Sequence, residues 1–431
     1  MPPRWPWPRL ALWVVLFLLA LLIYARAYVG AFRPPDGFVT DFIQEWLSAK
    51  NHFAGEPIYA PQRASIVKYV PADPARAAGM LPWNAHPPAS VLVALPFGLL
   101  DYTAAQLAWN LLSLPFFLAA LALMIRELRM PWRWESLLPA AALFLACHPI
   151  YYQITQGQFN FLLAFLFVLA WVLEKRGYGP AAGAALGVAV AIKLFPAFLL
   201  AYFLVRRRWR ALGVAVAVAM LGNLAALGVF GADAFRAYAN DVLPSLTFYQ
   251  SSWANASLTG FVLRIFHPDP AHQITPLFAS PLAASVGVHA VRLLVACVSV
   301  ASAWRWRKDA DRAFAVLVAG MLLACPITWA HYFILLLQPL GVLWMRLHGP
   351  ARWLFRVVLV VMWLPQYYFP TLMLGRERGA AWTVHQHDAY VTAPENLYAA
   401  SLLNYALLGA FLLLFAANPG RPAVVRGRAA P

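Results

Sequence analysis

Six places in the chain gather side chains that could do chemistry. The first is GFVTDFIQEWLSAKNHFAGEPIYAP (37–61), in which Asp41 and Glu45 lie four residues apart. If 40–53 is helical, the two acids share a face. A carboxylate there can act as a general base, or it can cap the helix N-terminus. The second is Lys193 in GVAVAIKLFPAF, a lone cation between apolar flanks. Such a lysine suits a phosphate or carboxylate, unless it snorkels to an interface from a shallow tip. Gln156, Gln158 and Asn160 crowd one short tip, either to hydrogen-bond sugar hydroxyls or as ordinary loop polarity. His331 in PITWAHYF sits at a Pro-broken tip between two aromatics, as a ligand contact or as a satisfied core histidine. SSWANASLTGFVLRIF adds Asn255 and Arg264, candidates for an anionic headgroup. The sixth, HQHD (385–388), has metal-like content but no partner cluster nearby, so no metal is expected. No P-loop, GxGxxG, CxxC or nucleophile elbow is present.

The elements that must hold these residues are membrane elements. Of 431 residues, 62% are hydrophobic and only 12% charged, about half the soluble norm. Aromatics at 15% fit belts at two water–lipid interfaces. The net charge of +16 is not a nucleic-acid signature, because the basic residues lie in short clusters between apolar runs. Three cysteines inside apolar segments imply no disulfide framework. Leu10 to Gly30 reads as an uncleaved first span, although Ala25-Arg26-Ala27 has the form of a signal cleavage site.

Placing the basic clusters at 126–133, 174–177, 206–210, 305–312, 345–356 and the tail on the cytoplasmic side gives a consistent path. Residues 10–30 cross outward and 31–87 form a first outer loop carrying an amphipathic helix on the membrane surface. Residues 88–125 return with a bend near Leu100-Asp101-Tyr102. Residues 136–173, 180–205 and 313–346 form hairpins or broken helices with tips at QITQGQFN, IKLFP and CPITWAHY. A second outer loop spans 233–283, and the C-terminal spans fall within 348–417, followed by a tail at 418–431. The acids were not used in this scheme, yet eleven of the 17 fall in its outer loops. That asymmetry fits the inner membrane of a bacterium. The arms of 180–205 are too short for the roughly 20 residues that a span needs. Polar backbone at that depth must line a cavity or be buried in protein. An outward-open cavity shared by QGQFN, Lys193 and WAHY follows.

DFIQEWLSAKNHFAGEPIY (41–59), HPPASVLVALPFGLL (86–100), QGQFNFLLAF (156–165), AGAALGVAVAIKLFPAFLLAYFLVRRRW (182–209), NASLTGFVLR (255–264) and CPITWAHYFILLLQPL (325–340) occur in an order that resembles glycosyltransferase family 87. These are polyprenyl-phosphate-mannose-dependent mannosyltransferases of the membrane GT-C class. His86, where an aromatic is expected, and Cys325, where a serine is usual, are departures. The resemblance implies a GT-C-like, all-α polytopic bundle of about 10–13 transmembrane or half-membrane helices. It implies a polyprenyl-phosphate-sugar donor, a glycolipid or glycan acceptor and no cofactor. It also implies an acidic base in the first outer loop, which maps onto Asp41. The expected reaction is an inverting single displacement, with Lys193 holding the phosphate and Arg264 or His331 assisting. Asn255, Gln158, Asn160 and Glu45 are further substrate contacts. A transporter or flippase for a lipid-linked or anionic solute would reuse Lys193 and Arg264, and an inactive scaffold would use neither. The sequence shows no internal repeat of the kind common in transporters.

Overall fold

A computed structural model describes residues 7–33, 40–70, 83–130, 137–269, 275–365, 394 and 396–418. The HQHD stretch and the C-terminal tail lie outside the described residues. The architecture is an all-α bundle. Its first half comprises α1 (Trp7–Phe32), α2 (Ile43–Phe53), α3 (Gln62–Tyr69), α4 (Pro88–Ala94), α5 (Tyr102–Glu127), α6 (Leu137–Ala146), α7 (His148–Gln156), α8 (Asn160–Lys175) and α9 (Gly179–Ile192). The second half comprises α10 (Leu200–Val205), α11 (Trp209–Ala237), α12 (Leu243–Ser245), α13 (Leu258–Phe266), α14 (Pro281–Arg305), α15 (Ala310–Ala324), α16 (Leu337–Arg346), α17 (Gly349–Trp363) and α18 (Leu402–Ala416).

Among the described residues, four helical stretches are long and apolar enough to cross a membrane: Leu10–Phe32, Tyr102–Glu127, Trp209–Tyr249 and Pro281–Arg305. The pair α7 and α8 makes a fifth, bent by 117°. Several apolar helices are shorter, among them α9 at 14 residues. At about 1.5 Å per residue it rises only some 21 Å, short of the roughly 30 Å of a hydrocarbon core. It stops at Lys193, whose backbone is extended (φ −140°, ψ 145°). Pro196 follows in a 3₁₀ turn, Phe195–Leu199, and the chain then resumes as α10. A matching interruption separates α15 from the 3₁₀ turn Ala330–Leu336. The break before α5 falls at Leu100–Asp101, where the Asp101 carboxylate caps the helix by accepting from Ala104 N at 2.9 Å.

Small residues set the closest helix contact. A Cβ on Gly183 of α9 would lie 2.2 Å from the Ala211 carbonyl oxygen of α11, and one on Gly187 would lie 2.5 Å from that of Ala215. Backbones pack directly here, as at small-xxx-small membrane interfaces.

The Arg/Lys clusters converge on one end of the bundle. Glu127 pairs with Lys175 and Arg176, Glu174 with Arg206 and Arg208, and Asp311 with Lys175 and Arg346. Residues up to 136 apart in sequence, Lys175 and Asp311, are thereby tied at one face. The broken-helix tips gather at the other end. There α2 is set deeper than a helix lying on a membrane surface. Its residues from Ile43 to Ala49 are all buried, because α4, the 3₁₀ turn Leu95–Leu99 and α5 wrap it.

Candidate active site

Three tips meet at a cavity of about 500 Å³. The Asp41 segment, the α7–α8 turn and the Lys193 break each contribute polar atoms, and the 325–332 segment closes the far wall.

The first two tips are locked together by backbone and aromatic contacts. Phe42 N donates to Gln156 O at 2.9 Å, and Asp41 N donates to Gln156 Oε1 at 3.1 Å. Phe42 stacks on Trp109 (5.9 Å, 2° between planes), and Trp109 meets Phe159 edge-on at 5.2 Å. Ring geometry of this kind fixes orientation as well as burying apolar surface. The turn itself depends on Gly157, whose φ of +63° is left-handed. A Cβ there would also lie 2.8 Å from Phe42 Cβ. Glycine meets both demands. Behind the turn, Asn160 donates to Gln153 Oε1 at 2.9 Å, and Gln153 Nε2 donates to the Gln158 carbonyl.

The Asp41 side chain does not cap α2. The cap residue is Phe42, with no side-chain cap bond, and Thr40 Oγ1 is engaged with Tyr102 and Gln106 instead. The Asp41 carboxylate turns toward the cavity, where Oδ2 accepts from Gln158 Nε2 at 3.0 Å. The other end of the same amide, Gln158 Oε1, accepts from Lys193 Nζ at 2.9 Å. One glutamine thus bridges an acid and a cation. Lys193 is 3% exposed and also donates to Tyr332 OH at 3.4 Å, over whose ring its ammonium sits at 4.8 Å. Burial pushes the Asp41 carboxyl above its ordinary range; the Gln158 hydrogen bond is the largest opposing influence, followed by His86. A carboxyl raised in this way is better matched to proton abstraction than an exposed aspartate.

Glu45 is buried, and its carboxylate hydrogen-bonds His86 Nδ1. His86 lines the cavity, and Phe159 packs edge-on against its ring at 5.8 Å. The His86 backbone is held by Asn84 Oδ1 at 3.0 Å and by the Tyr59 hydroxyl, which donates to the His86 carbonyl at 2.6 Å. His331 is 1% exposed and lines the cavity, and among the described residues neither ring nitrogen has a hydrogen-bond partner. Tyr152 and Tyr332 hold the ring edge-on at 5.1 and 5.0 Å.

Of the residues singled out in the sequence, Asp41, Gln156, Gln158, Lys193 and His331 share the cavity, and Glu45 reaches it through His86. Asn160, Asn255 and Arg264 are not on its wall. Arg264 is corrected from headgroup contact to internal brace. It is fully buried, and its guanidinium donates to the carbonyls of Ser252, Trp253 and Asn255 and to Asn404 Oδ1 at 2.6 Å. Asn255 is likewise spent. It donates to Pro326 O at 2.8 Å and accepts from Thr328 N at 2.9 Å, pinning the segment that carries Trp329 and His331. These two residues position the far wall from behind. His86 and Tyr152 were not expected at the site, whereas Tyr332 belongs to the WAHY tip expected there. The pairing of Glu45 with His86 spans 41 residues and leaves no local pattern.

The sequence matches glycosyltransferase family 87 over residues 84–328. The chain belongs to that family, and it is a multi-pass membrane glycosyltransferase. It is similar to the polyprenol-phosphate-mannose-dependent alpha-(1-2)-phosphatidylinositol pentamannoside mannosyltransferase of Mycolicibacterium smegmatis, at 29% identity over 321 residues, covering 69% of this chain and 72% of that one. It is also similar to the polyprenol-phosphate-mannose-dependent alpha-(1-2)-phosphatidylinositol mannoside mannosyltransferase of Mycobacterium tuberculosis, at 27% identity over 402 residues, covering 87% of this chain and 86% of that one. Among solved structures, ArnT from Cupriavidus metallidurans bound to undecaprenyl phosphate aligns over 92% of this chain and 78% of that one. Identity there is 16% and the TM-score 0.38, too low for comparison of residues.

Proposed function

We propose that this chain transfers mannose from a polyprenyl-phosphate donor to a glycolipid acceptor at the outer face of a bacterial inner membrane. The observation that carries the reading is the Asp41–Gln158–Lys193 chain on one cavity wall. It sets a base and a phosphate-binding cation a single amide apart. The names of the relatives supply the donor and point to a phosphatidylinositol-mannoside type of acceptor. Residues 88–347 form the catalytic membrane core in this reading, completed by the first outer loop.

The step is an inverting single displacement. An acceptor hydroxyl attacks the anomeric carbon from the face opposite the phosphate. Its proton passes to the Asp41 carboxylate, and the bond from the anomeric carbon to the phosphate oxygen breaks with its electron pair. Polyprenyl phosphate leaves as an anion, a good enough leaving group to need no acid. Lys193 meets the charge that develops on it. His331, with both ring nitrogens unengaged, supplies a second contact to the phosphate, and the Glu45–His86 pair holds an oriented imidazole near Asp41. Gln158 and Gln156 order the base. The basic end of the bundle faces the cytoplasm, so the cavity opens outward.

The test is reconstitution in liposomes with radiolabelled polyprenyl-phosphate mannose and a membrane lipid extract. A labelled glycolipid is expected. Label that crosses the bilayer still attached to polyprenyl phosphate, with no glycolipid formed, would refute the reading.

A further inference from the structure

The basic end of the bundle contains a second cavity, of about 450 Å³, lined by Ala301, Ser302, Arg305, Trp306, Arg312 and Phe415. It lies between the end of α14, the start of α15 and the end of α18. Arg312 and Ala324 stand at opposite ends of α15, about 18 Å apart at the rise of a helix. Cys325, on the wall of the catalytic cavity, follows Ala324 directly. The two cavities are therefore separate sites.

Among the described residues one arginine of this pocket, Arg312, differs from the other cations around it in being both buried and without an ion-paired acid. Lys175, Arg176, Arg206, Arg208 and Arg346 are each paired with an acid. Among the described residues neither Arg305 nor Arg312 forms an ion pair. Asp309, which acts electrostatically on Arg312, gives its carboxylate to Arg346 at 2.6 Å and to the N-terminal turn of α15. Arg312 is 6% exposed, so its charge is buried against the pocket with little to balance it. Its side chain makes one hydrogen bond among the described residues, from Nη2 to Leu414 O at 3.1 Å, and its Nε is buried without a partner. The guanidinium carbon lies over Trp306, 3.9 Å from the ring centroid, a cation–π contact that holds it at the pocket wall. Burying a cation is costly unless an anion meets it.

We propose that this pocket binds the phosphate of an anionic phospholipid headgroup. Arg305 and Arg312 supply charge and paired N–H donors, and the Ser302 hydroxyl supplies a third donor. Phosphate is the chemistry such a site selects, and the surroundings choose a lipid as its source. Phe415 on the pocket wall is 43% exposed, and Leu412, one turn back along α18, is 56% exposed. Together they continue the pocket as an apolar track along the outside of the bundle, where an acyl chain would lie. Basic pockets between membrane helices at a charged face take anionic lipids in this way.

The experiment is native mass spectrometry of the full chain in detergent, titrated with phosphatidylglycerol or phosphatidylcholine. Arg305→Gln and Arg312→Gln are compared with Arg210→Gln, an exposed arginine outside the pocket. The wild type should prefer phosphatidylglycerol. Each pocket variant should lose about fivefold in affinity for it, the worth of one arginine near a lipid surface, and R210Q should lose nothing. Sugar transfer by R305Q should be unchanged, which separates this site from folding and from catalysis. Equal phosphatidylglycerol binding by the wild type and both pocket variants would overturn the proposal, as would an equal loss in R210Q. Displacement of the lipid by inorganic phosphate at millimolar concentration would overturn the lipid as its source.

Discussion

Gln158→Leu is the sharpest test of the bridged site. The substitution nearly preserves side-chain volume while removing two charge-assisted hydrogen bonds, to Asp41 at 3.0 Å and from Lys193 at 2.9 Å. A hydrogen bond to a charged group is worth about 1.5–3 kcal/mol, or about ten- to 150-fold in rate. Both bonds also exist before the transition state, and only the differential part affects turnover. A fall of about tenfold in kcat/KM is therefore expected. Asp41→Asn should cost about a hundredfold or more. If Gln158 acts by ordering Asp41, the double variant must lose less than the product of the two single losses. The pH profile gives a second readout. The Gln158 amide opposes the burial that raises the Asp41 carboxyl, so its removal should move the acid limb of kcat/KM to higher pH. Stability has the opposite sign from activity. Because the folded-state value is raised, the charged carboxylate costs stability. That cost accrues as pH rises from the ordinary value of 3.8 through the raised one, and it is absent below 3.8. At neutral pH Asp41→Asn should accordingly melt at the same temperature as the wild type or higher, while being almost inactive. The assay is transfer of labelled mannose in proteoliposomes across a pH series, with melting followed by tryptophan fluorescence. Wild-type kcat/KM for Q158L, or fully multiplicative losses in the double variant, would refute the reasoning.

Four further outcomes are expected. Lys193→Met should raise KM for the lipid-phosphate donor by about tenfold or more while the protein stays folded, since an uncompensated buried charge is removed rather than created; an unchanged donor KM would count against its role. Gly157→Ala should lower both stability and kcat, because it forces a side chain into a left-handed turn and against Phe42; melting and transfer measured on one preparation decide it. Glu45→Gln should lower kcat/KM by about tenfold, since it weakens the contact that orients the His86 ring on the cavity wall; unchanged transfer would argue against that coupling. Arg264→Gln should lower the melting temperature without altering the pH profile, as a brace of the 252–257 segment should; a selective change in donor KM with normal melting would return Arg264 to the site.

Much of the scaffold is legible because breaks in membrane helices are written locally. Asp101 caps the helix after the bend, Gly157 turns the α7–α8 tip, and Pro196 ends the run beyond Lys193. Polar residues at such breaks are expensive in a bilayer, so their presence predicts a common cavity. The partners of a side chain are less legible. Arg264 and Asn255 look like ligand binders by type, yet most of the groups they satisfy are backbone carbonyls and amides, which every sequence carries everywhere. Nothing in the residue letters separates an arginine that faces a cavity from one that closes its own loop. The burial of α2 is hidden for a similar reason. Its stripe of Trp46, Ala49 and Phe53 reads as a lipid-facing edge, but the 83–101 segment covers the first two, and of the three only Phe53 stays exposed.

The amide between Asp41 and Lys193 also explains why this cavity can serve both charges. In direct contact, the carboxylate and ammonium would form an ion pair in a low-dielectric site. The acid would then be too weak a base, and the lysine would already be neutralised when the donor arrived. Glutamine has a donor end and an acceptor end. A carboxylate only accepts and an ammonium only donates, so the orientation of the amide is fixed by its neighbours. Each charge keeps a partner, and each retains capacity toward the cavity: lone pairs on the carboxylate and N–H groups on the ammonium. In the proposed step, as the acceptor proton reaches Asp41, the negative charge lost there appears on the departing phosphate. A Lys193 held by a neutral amide is free to follow that charge, whereas a salt-bridged one would have to abandon a partner. The separation of base and cation by one neutral side chain is thus the feature best suited to a reaction that moves negative charge from one wall of the cavity to the leaving group.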